Sequence, residues 1–437
     1  MKLLERLGLG TPELRAWAMY DWANSAYQTT IIAAVFPVYF NAVAAKGLAS
    51  DVALARLGWA SALAIFIVAI IAPVLGAMAD HSAIKKPLLA AFASLGILTC
   101  FSMFWIREGD WLLALTLFVI GNIGVAGSIV FYEALLPHLV PPEKLDAVSS
   151  AGYAIGYLGG GVLLAINAAM IMKPAVFGIP DVSTATRLSF VSVGIWWGLF
   201  TLPLMRTVRE PKALVGGVAH RMSIGESVRQ MVQTFKDLRR YRQALWFLLA
   251  FLIYNDGIQT MIRMATSYGQ SIGIDTGAMI TALLLTQFIG VPAAFAFGML
   301  AARIGPKTAV FFGLAVYAFI TVLGYFMTSS AHFFALAVLV GLVQGGTQAL
   351  SRSMFASMIP RQKSSEFFAF FSVFERYAGV LGPAIFALVV STTGSGRSAI
   401  LAILIFFVAG GLLLTRVNVE AGRREARAAE AELATSH

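Results

Sequence analysis

Two stretches of the chain place amides and charges inside long apolar runs. Tyr20 to Ile32 reads YDWANSAYQTTII, and Tyr254 to Ala265 reads YNDGIQTMIRMA. Asn24, Gln28, Thr29 and Ile31 return as Asn255, Gln259, Thr260 and Ile262, so both stretches carry N-x-x-x-Q-T-x-I. At helical spacing Asp21, Asn24 and Gln28 share one face, as do Asn255, Gln259 and Arg263, with Asp256 and Thr260 beside them. Asn and Gln both donate and accept, a carboxylate takes an ammonium group or a proton, and a guanidinium takes a carboxylate in a fork of two bonds. Asn24, Gln28, Asn255, Asp256, Gln259 and Arg263 together suit a small polar or zwitterionic solute. The plainer alternative is that Asn24 and Asn255 hold helices together. Asp21, near the start of its run, can equally cap or anchor a helix.

The elements that position these groups must be membrane helices. The chain is 59% hydrophobic and only 12% charged, about half the charge of a soluble domain. Apolar segments long enough to cross a bilayer recur along it, and in lipid a lone segment satisfies its backbone only as a helix. Twelve spans are predicted, at 16–42, 57–79, 87–106, 111–136, 148–170, 188–205, 243–268, 278–301, 306–328, 331–358, 366–391 and 396–416. With the N-terminus placed in the cytosol, basic residues fall about four to one on the cytosolic loops. Both termini are therefore expected inside, in a plasma (cell inner) membrane. The net charge of +10 reads as this bias and not as a nucleic-acid surface. Met1 to Gly10 lacks the pattern of a cleaved signal, so the first span is expected to serve as its own.

The longest cytosolic loop, 206–242, separates residues 1–205 from 243–417, six spans each, and 418–437 forms a charged tail, read as frayed or loosely helical. Within the loop, Val228, Met231, Val232, Phe235 and Leu238 fall on one face of a predicted helix lying on the membrane, with Ser223 and Glu226 as a capping box. The two halves repeat each other. Aligning Pro141 with Pro360 sets Glu133 against Arg352 and Gly127 against Gly346, and GAMADHSAIKK from Gly76 rhymes with GMLAARIGPK from Gly298. Glu133 and Arg352 thus sit at matching depths near the cytosolic ends of spans 4 and 10. They are candidates for a gate that closes across the cavity mouth, unless each pairs within its own half. Asp21, Glu133 and Asp256 are candidate proton carriers, since burial raises a carboxyl's proton affinity. Gly152, Gly156 and Gly160 repeat every four residues, as close helix packing requires.

No catalytic or metal-ligand set appears: the five His are scattered, and there is no phosphate-binding loop. No enzyme, cofactor or metal is expected. The expected partners are a small solute, the bilayer and protons, with the protein monomeric. The single cysteine, Cys100, excludes an intrachain disulfide.

YDWANSAY, YNDGIQT and GGTQALSRSMFASMIP are similar to motifs of the vacuole-effluxer (autophagy-related permease) branch of the major facilitator superfamily and its bacterial relatives. Gly76, Asp80, Lys85 and Lys86 resemble the superfamily's signature between spans 2 and 3, echoed by Arg303 and Lys307, although Ala83 stands where glycine is usual and Ile84 where a basic residue is. The resemblance implies the major facilitator fold, alternating access between two six-helix bundles, a cavity lined by spans 1, 4, 7 and 10, and export of small solutes. Amino acids are the best-known cargo of the vacuolar members. It also implies that Asp80 caps the N-terminal end of span 11. Two rivals remain at this level: a broad exporter of amphipathic compounds, and a channel or membrane receptor.

Overall fold

The computed structural model describes residues 4–5, 7–48, 50–212, 225–226, 229, 240–274, 276–378 and 381–435. Most of the expected amphipathic loop helix, including Ser223, Val228, Met231, Val232, Phe235 and Leu238, lies outside them. Among the described residues the chain is all-helical. Its helices, in order, are α1 (Pro12–Ala44), α2 (Ser50–Ser82), α3 (Lys85–Trp105), α4 (Trp111–Leu139), α5 (Leu145–Met172), α6 (Val182–Thr207), α7 (Arg242–Ser271), α8 (Thr276–Ile304), α9 (Pro306–Tyr325) and α10 (Ser330–Ser357). The broken pair α11a (Ser364–Tyr377) and α11b (Leu381–Thr393), α12 (Gly396–Thr415) and α13 (Val419–Thr435) complete the order. Among the described residues ten helices are long and apolar enough to cross a membrane. With α2 and the α11 pair in the second and eleventh places, the order is that of twelve spans. Large apolar side chains such as Trp59, Leu112, Phe312 and Leu412 stand on the outside, where lipid replaces water and gives them no reason to turn inward.

Within the first half α1 packs along α5 and α6, and α3 against α4 and α6; within the second, α7 lies along α12 and α8 along α10. The halves meet where α5 runs against α8 and α10, and where α11a runs against α2 and α4. Glycines permit the closest of these approaches. A methyl on Gly156 would sit 2.7 Å from Ser25 Oγ of α1, and one on Gly160 2.9 Å from Thr29. The stripe Gly152–Gly156–Gly160 is therefore the seat of α1.

Three expectations are corrected. First, α1 is not α-helical throughout: Tyr27–Ala34 and Phe40–Ala44 wind as π-helix. Pro37 lies between them without an amide proton to give the α ladder. Second, span 11 is two helices. Gly382 and Pro383 fall in the first turn of α11b, where a missing amide proton costs nothing. Third, the charged tail is an ordered helix, α13, which packs on α7 and α10.

One end of the bundle gathers Lys85, Lys86, Arg206, Arg240, Arg361, Arg416 and Arg423, and is called the basic end below. Its two short α2–α3 and α8–α9 turns are built alike. Gly305 has φ 84°, and Ala83, at the matching place, has φ 51°, the one positive φ at a non-glycine among the described residues. Left-handed backbone costs an alanine about 1 kcal/mol. Ala83→Gly is accordingly expected to raise the thermal unfolding midpoint in detergent and Gly305→Ala to lower it. A midpoint that falls on Ala83→Gly would show that the turn carries no strain.

Candidate functional site

The Arg352 side chain leaves α10 and enters the other half of the molecule. Its Nε donates to Ser149 Oγ at 2.8 Å and its Nη2 to the Ser149 carbonyl at 2.9 Å, both on α5. Nη1 lies 3.4 Å from Asp21 Oδ2 on α1 and 3.9 Å from Glu133 Oε1 on α4. The guanidinium is enclosed by aromatic rings, 4.5 Å over Tyr153 and 5.0 Å over Trp17. Cation–π attraction there adds to the ionic pairing of a desolvated charge. Tyr132 Oη donates to Asp21 at 2.7 Å, and Ser149 Oγ returns a bond to the Ala349 carbonyl at 2.7 Å. Arg352 and Glu133 are each 2% exposed. The structure thus brings the two expected gate residues together, but it sets Asp21, from the other motif face, nearer to the guanidinium than Glu133.

Asn24 is buried and donates to the Tyr20 carbonyl at 3.0 Å, while its Oδ1 accepts from Gln28 Nε2 at 3.1 Å. Gln28 is exposed, one turn further along the seated helix α1. On α7, Gln259 is half-buried and Arg263 exposed. Asn255 is buried; its Oδ1 accepts from Gln348 Nε2 of α10 at 2.7 Å, and its Nδ2 reaches the Glu375 carbonyl at 3.5 Å.

Asp256 is placed against the broken span. Its Oδ2 accepts the Leu381 amide at 3.1 Å, and its Oδ1 accepts the Gly382 amide at 2.8 Å and the Thr260 hydroxyl at 3.3 Å. Both oxygens serve the N-terminus of α11b, where the helix dipole favours an anion. A side chain on Gly382 would collide with Thr260, so the glycine lets α11b reach the carboxylate. In this conformation both oxygens of Asp256 accept backbone amides of α11b. The break in span 11 is what recruited it.

At the basic end Asp80 accepts the Ser365 amide at 3.2 Å and the Glu366 amide at 3.0 Å, capping α11a across the interface, and pairs with Lys85 Nζ. Gly76 faces the Ser365 carbonyl, where a methyl would come within 2.7 Å. Lys86 Nζ donates to the Met205 carbonyl at 3.1 Å and to that of Val208, closing the C-terminal end of α6. Lys307 Nζ does the same for α12, through Thr415 at 3.0 Å and Val417 at 2.7 Å. Arg303 is exposed. His138 Nε2 lies 3.1 Å from Ser364 Oγ, and Ser353 donates to Asp146 at 2.5 Å, adding further links between the halves.

Several groups of this network were not singled out from sequence. Ser149, Tyr132, Tyr153 and Gln348 carry no charge, and only the fold brings them to Arg352 or Asn255. Glu210 is another: its carboxylate accepts the Lys85 amide at 2.7 Å and the Lys86 amide at 2.9 Å, capping α3. Burial lifts the Glu210 carboxyl above the usual range, against the pull of those amides and lysines. The one signal for it was an acid in a basic loop. Removing the Asp256 acceptors leaves two amides of α11b unmet, at about 1–3 kcal/mol each. Asp256→Ala is expected to lower the thermal midpoint clearly and Asp256→Asn, which keeps one acceptor oxygen, to lower it less. Equal midpoints for the wild type and Asp256→Ala would refute the cap.

Comparison with known proteins places the fold and the family. The family model described as vacuole effluxer Atg22 like matches residues 57–146 and 143–427. An uncharacterized MFS-type transporter, YxiO of Bacillus subtilis (strain 168), is 36% identical over 419 residues, covering 94% of this chain and 96% of that one. Autophagy-related protein 22 of Coccidioides immitis (strain RS) is 24% identical over 431 residues, covering 81% of this chain and 70% of that one. Among solved structures, the major facilitator superfamily transporter FucP in the outward conformation superposes with a TM-score of 0.68 at 14% identity, covering 94% of this chain and 99% of that one. The proton:xylose symporter XylE gives 0.69 at 15% identity, over 93% and 95%. The fold, the family match and the relatives agree: the chain belongs to the Atg22-like vacuole effluxer family, a branch of the major facilitator superfamily of membrane transporters.

Proposed function

We propose that this transporter moves a small polar or zwitterionic solute of amino-acid type by alternating access, exporting it across the cell inner membrane with protons as the coupled ion. The basic end faces the cytosol, and the protein works as a monomer. The observation that carries this reading is Arg352, which belongs to one half and is held by Asp21, Glu133 and Ser149 of the other. Those bonds have to part before the basic end can open. They form the cytosolic gate, in a conformation that faces outward.

Above the gate, Asn24, Gln28, Gln259 and Arg263 receive the solute, with Asn255 braced by Gln348 behind them. Gln28 and Arg263 are the exposed members of the two faces, and in this reading they are the amide and the cation that meet a carboxylate-bearing solute. Asp21 and Glu133 place two carboxylates on one guanidinium. A buried group of that kind carries a surplus negative charge, which one proton relieves. Release of Arg352 takes the shared cation from both acids, which is the proposed link between proton movement and gate opening.

The test is flux in proteoliposomes with a panel of labelled amino acids, with and without a pH gradient. Arg352→Ala leaves buried carboxylates uncompensated, at about 3 kcal/mol, and is expected to lower flux by at least tenfold. Glu133→Arg is expected to impair flux, and addition of Arg352→Glu to restore part of it. Absence of accumulation for every amino acid would sink the solute class; indifference to the pH gradient would sink the coupling.

A further inference from the structure

Helix α13 lies across the seam between the two halves at the basic end. It starts from Asn418, whose amide donates to Gln243 Oε1 at 2.7 Å and whose Oδ1 caps the Ala421 amide at 2.9 Å. Its covered face is made of small residues at helical spacing, Gly422, Ala426 and Ala429. A methyl on Gly422 would come within 2.7 Å of the Met358 side chain, so the helix lies close on the end of α10.

Its fastenings are unequal. Toward the second half, Arg423 Nε reaches Ser357 Oγ at 3.4 Å, Glu430 accepts the Arg361 amide at 2.9 Å, and Glu432 takes Arg240 at 2.6 Å. Toward the first half, Arg427 Nη2 lies 3.6 Å from Glu143 Oε1. Beneath the helix is a cavity of about 80 Å³ walled by Pro137, Val140 and Leu145 from one half, Ala356 and Ile359 from the other, and Ala426 from above. The helix is therefore fixed to one half and rests on both.

We propose that α13 is a strap that biases the transporter toward the state closed at the basic end. The proposal rests on the alternating-access reading above. When the halves part there, Glu143 moves away from Arg427 and the cavity floor splits under Ala426, so opening costs whatever those contacts contribute. The crossing pair is solvent-exposed, which keeps the bias to about two- to fivefold in the ratio of closed to open molecules. The strap tunes the gate and leaves Arg352 as its main bond.

The experiment measures distances by double electron–electron resonance between spin labels at Lys144→Cys and Lys363→Cys, on opposite halves of the basic end, in a full chain carrying Cys100→Ser. Arg427→Glu repels Glu143, and Gly422→Leu lifts the helix without touching a charge. Both are expected to raise the long-distance fraction two- to fivefold, and Glu143→Arg with Arg427→Glu to return it toward the starting value. Arg352→Ala is the control for the gate itself. If it raises the long-distance fraction while Arg427→Glu and Gly422→Leu leave it unchanged, the strap is overturned. If Arg352→Ala also shows a single short distance, the alternating-access reading fails and the strap falls with it.

Discussion

A guanidinium taken out of water has to be paid back in full by its neighbours, and Arg352 is the residue around which this protein is arranged. An unpaired ion at this depth costs several kcal/mol. Two carboxylates, a serine that donates its hydroxyl onward, a backbone carbonyl and a cage of aromatic rings meet the charge. They come from α1, α4 and α5, whereas Arg352 comes from α10. Holding the ion therefore means holding the two halves together, and the rest of the basic end follows. Asp80 reaches α11a, Ser364 reaches Ala134 and Ser353 reaches Asp146 across the same interface.

Much of the plan was legible in the sequence because the bilayer leaves few choices. The spans follow from apolar length, and the two halves from the echo of Asn24 and Gln28 in Asn255 and Gln259. The match of Glu133 to Arg352 came from the same internal alignment, and it placed both at one depth. What was not legible is which helix faces which. A membrane helix is apolar toward lipid and toward protein alike, so its periodicity does not announce its buried side. Asp21 and Arg352 are 331 positions apart, and nothing in either stretch points to the other. Ser149 is one small residue among many in a glycine-rich run.

Other departures have local causes. A break in a span frees backbone amides, and the nearest acid then becomes a cap, as Asp256 does for α11b. The tail looked loose because its composition is charged. Yet Gly422, Ala426 and Ala429 give it a smooth face, and its acids meet Arg240 and Arg361. The lysine clasps fit the same picture of two stiff units: Lys86 finishes α6 and Lys307 finishes α12, each inside its own half.

The π-helical winding of Tyr27–Ala34 has a bearing on how the repeated motif is used. Gln28 sits on a widened coil, whereas Gln259 sits on an ordinary one, so equal spacing in the text becomes unequal spacing in space. In α1 the pair Asn24 and Gln28 bond to each other, whereas in α7 Asn255 is turned to Gln348. The duplication thus supplies like chemistry on both walls without mirror geometry. The solute proposed above would meet two different handholds between them, and only one way round would satisfy both.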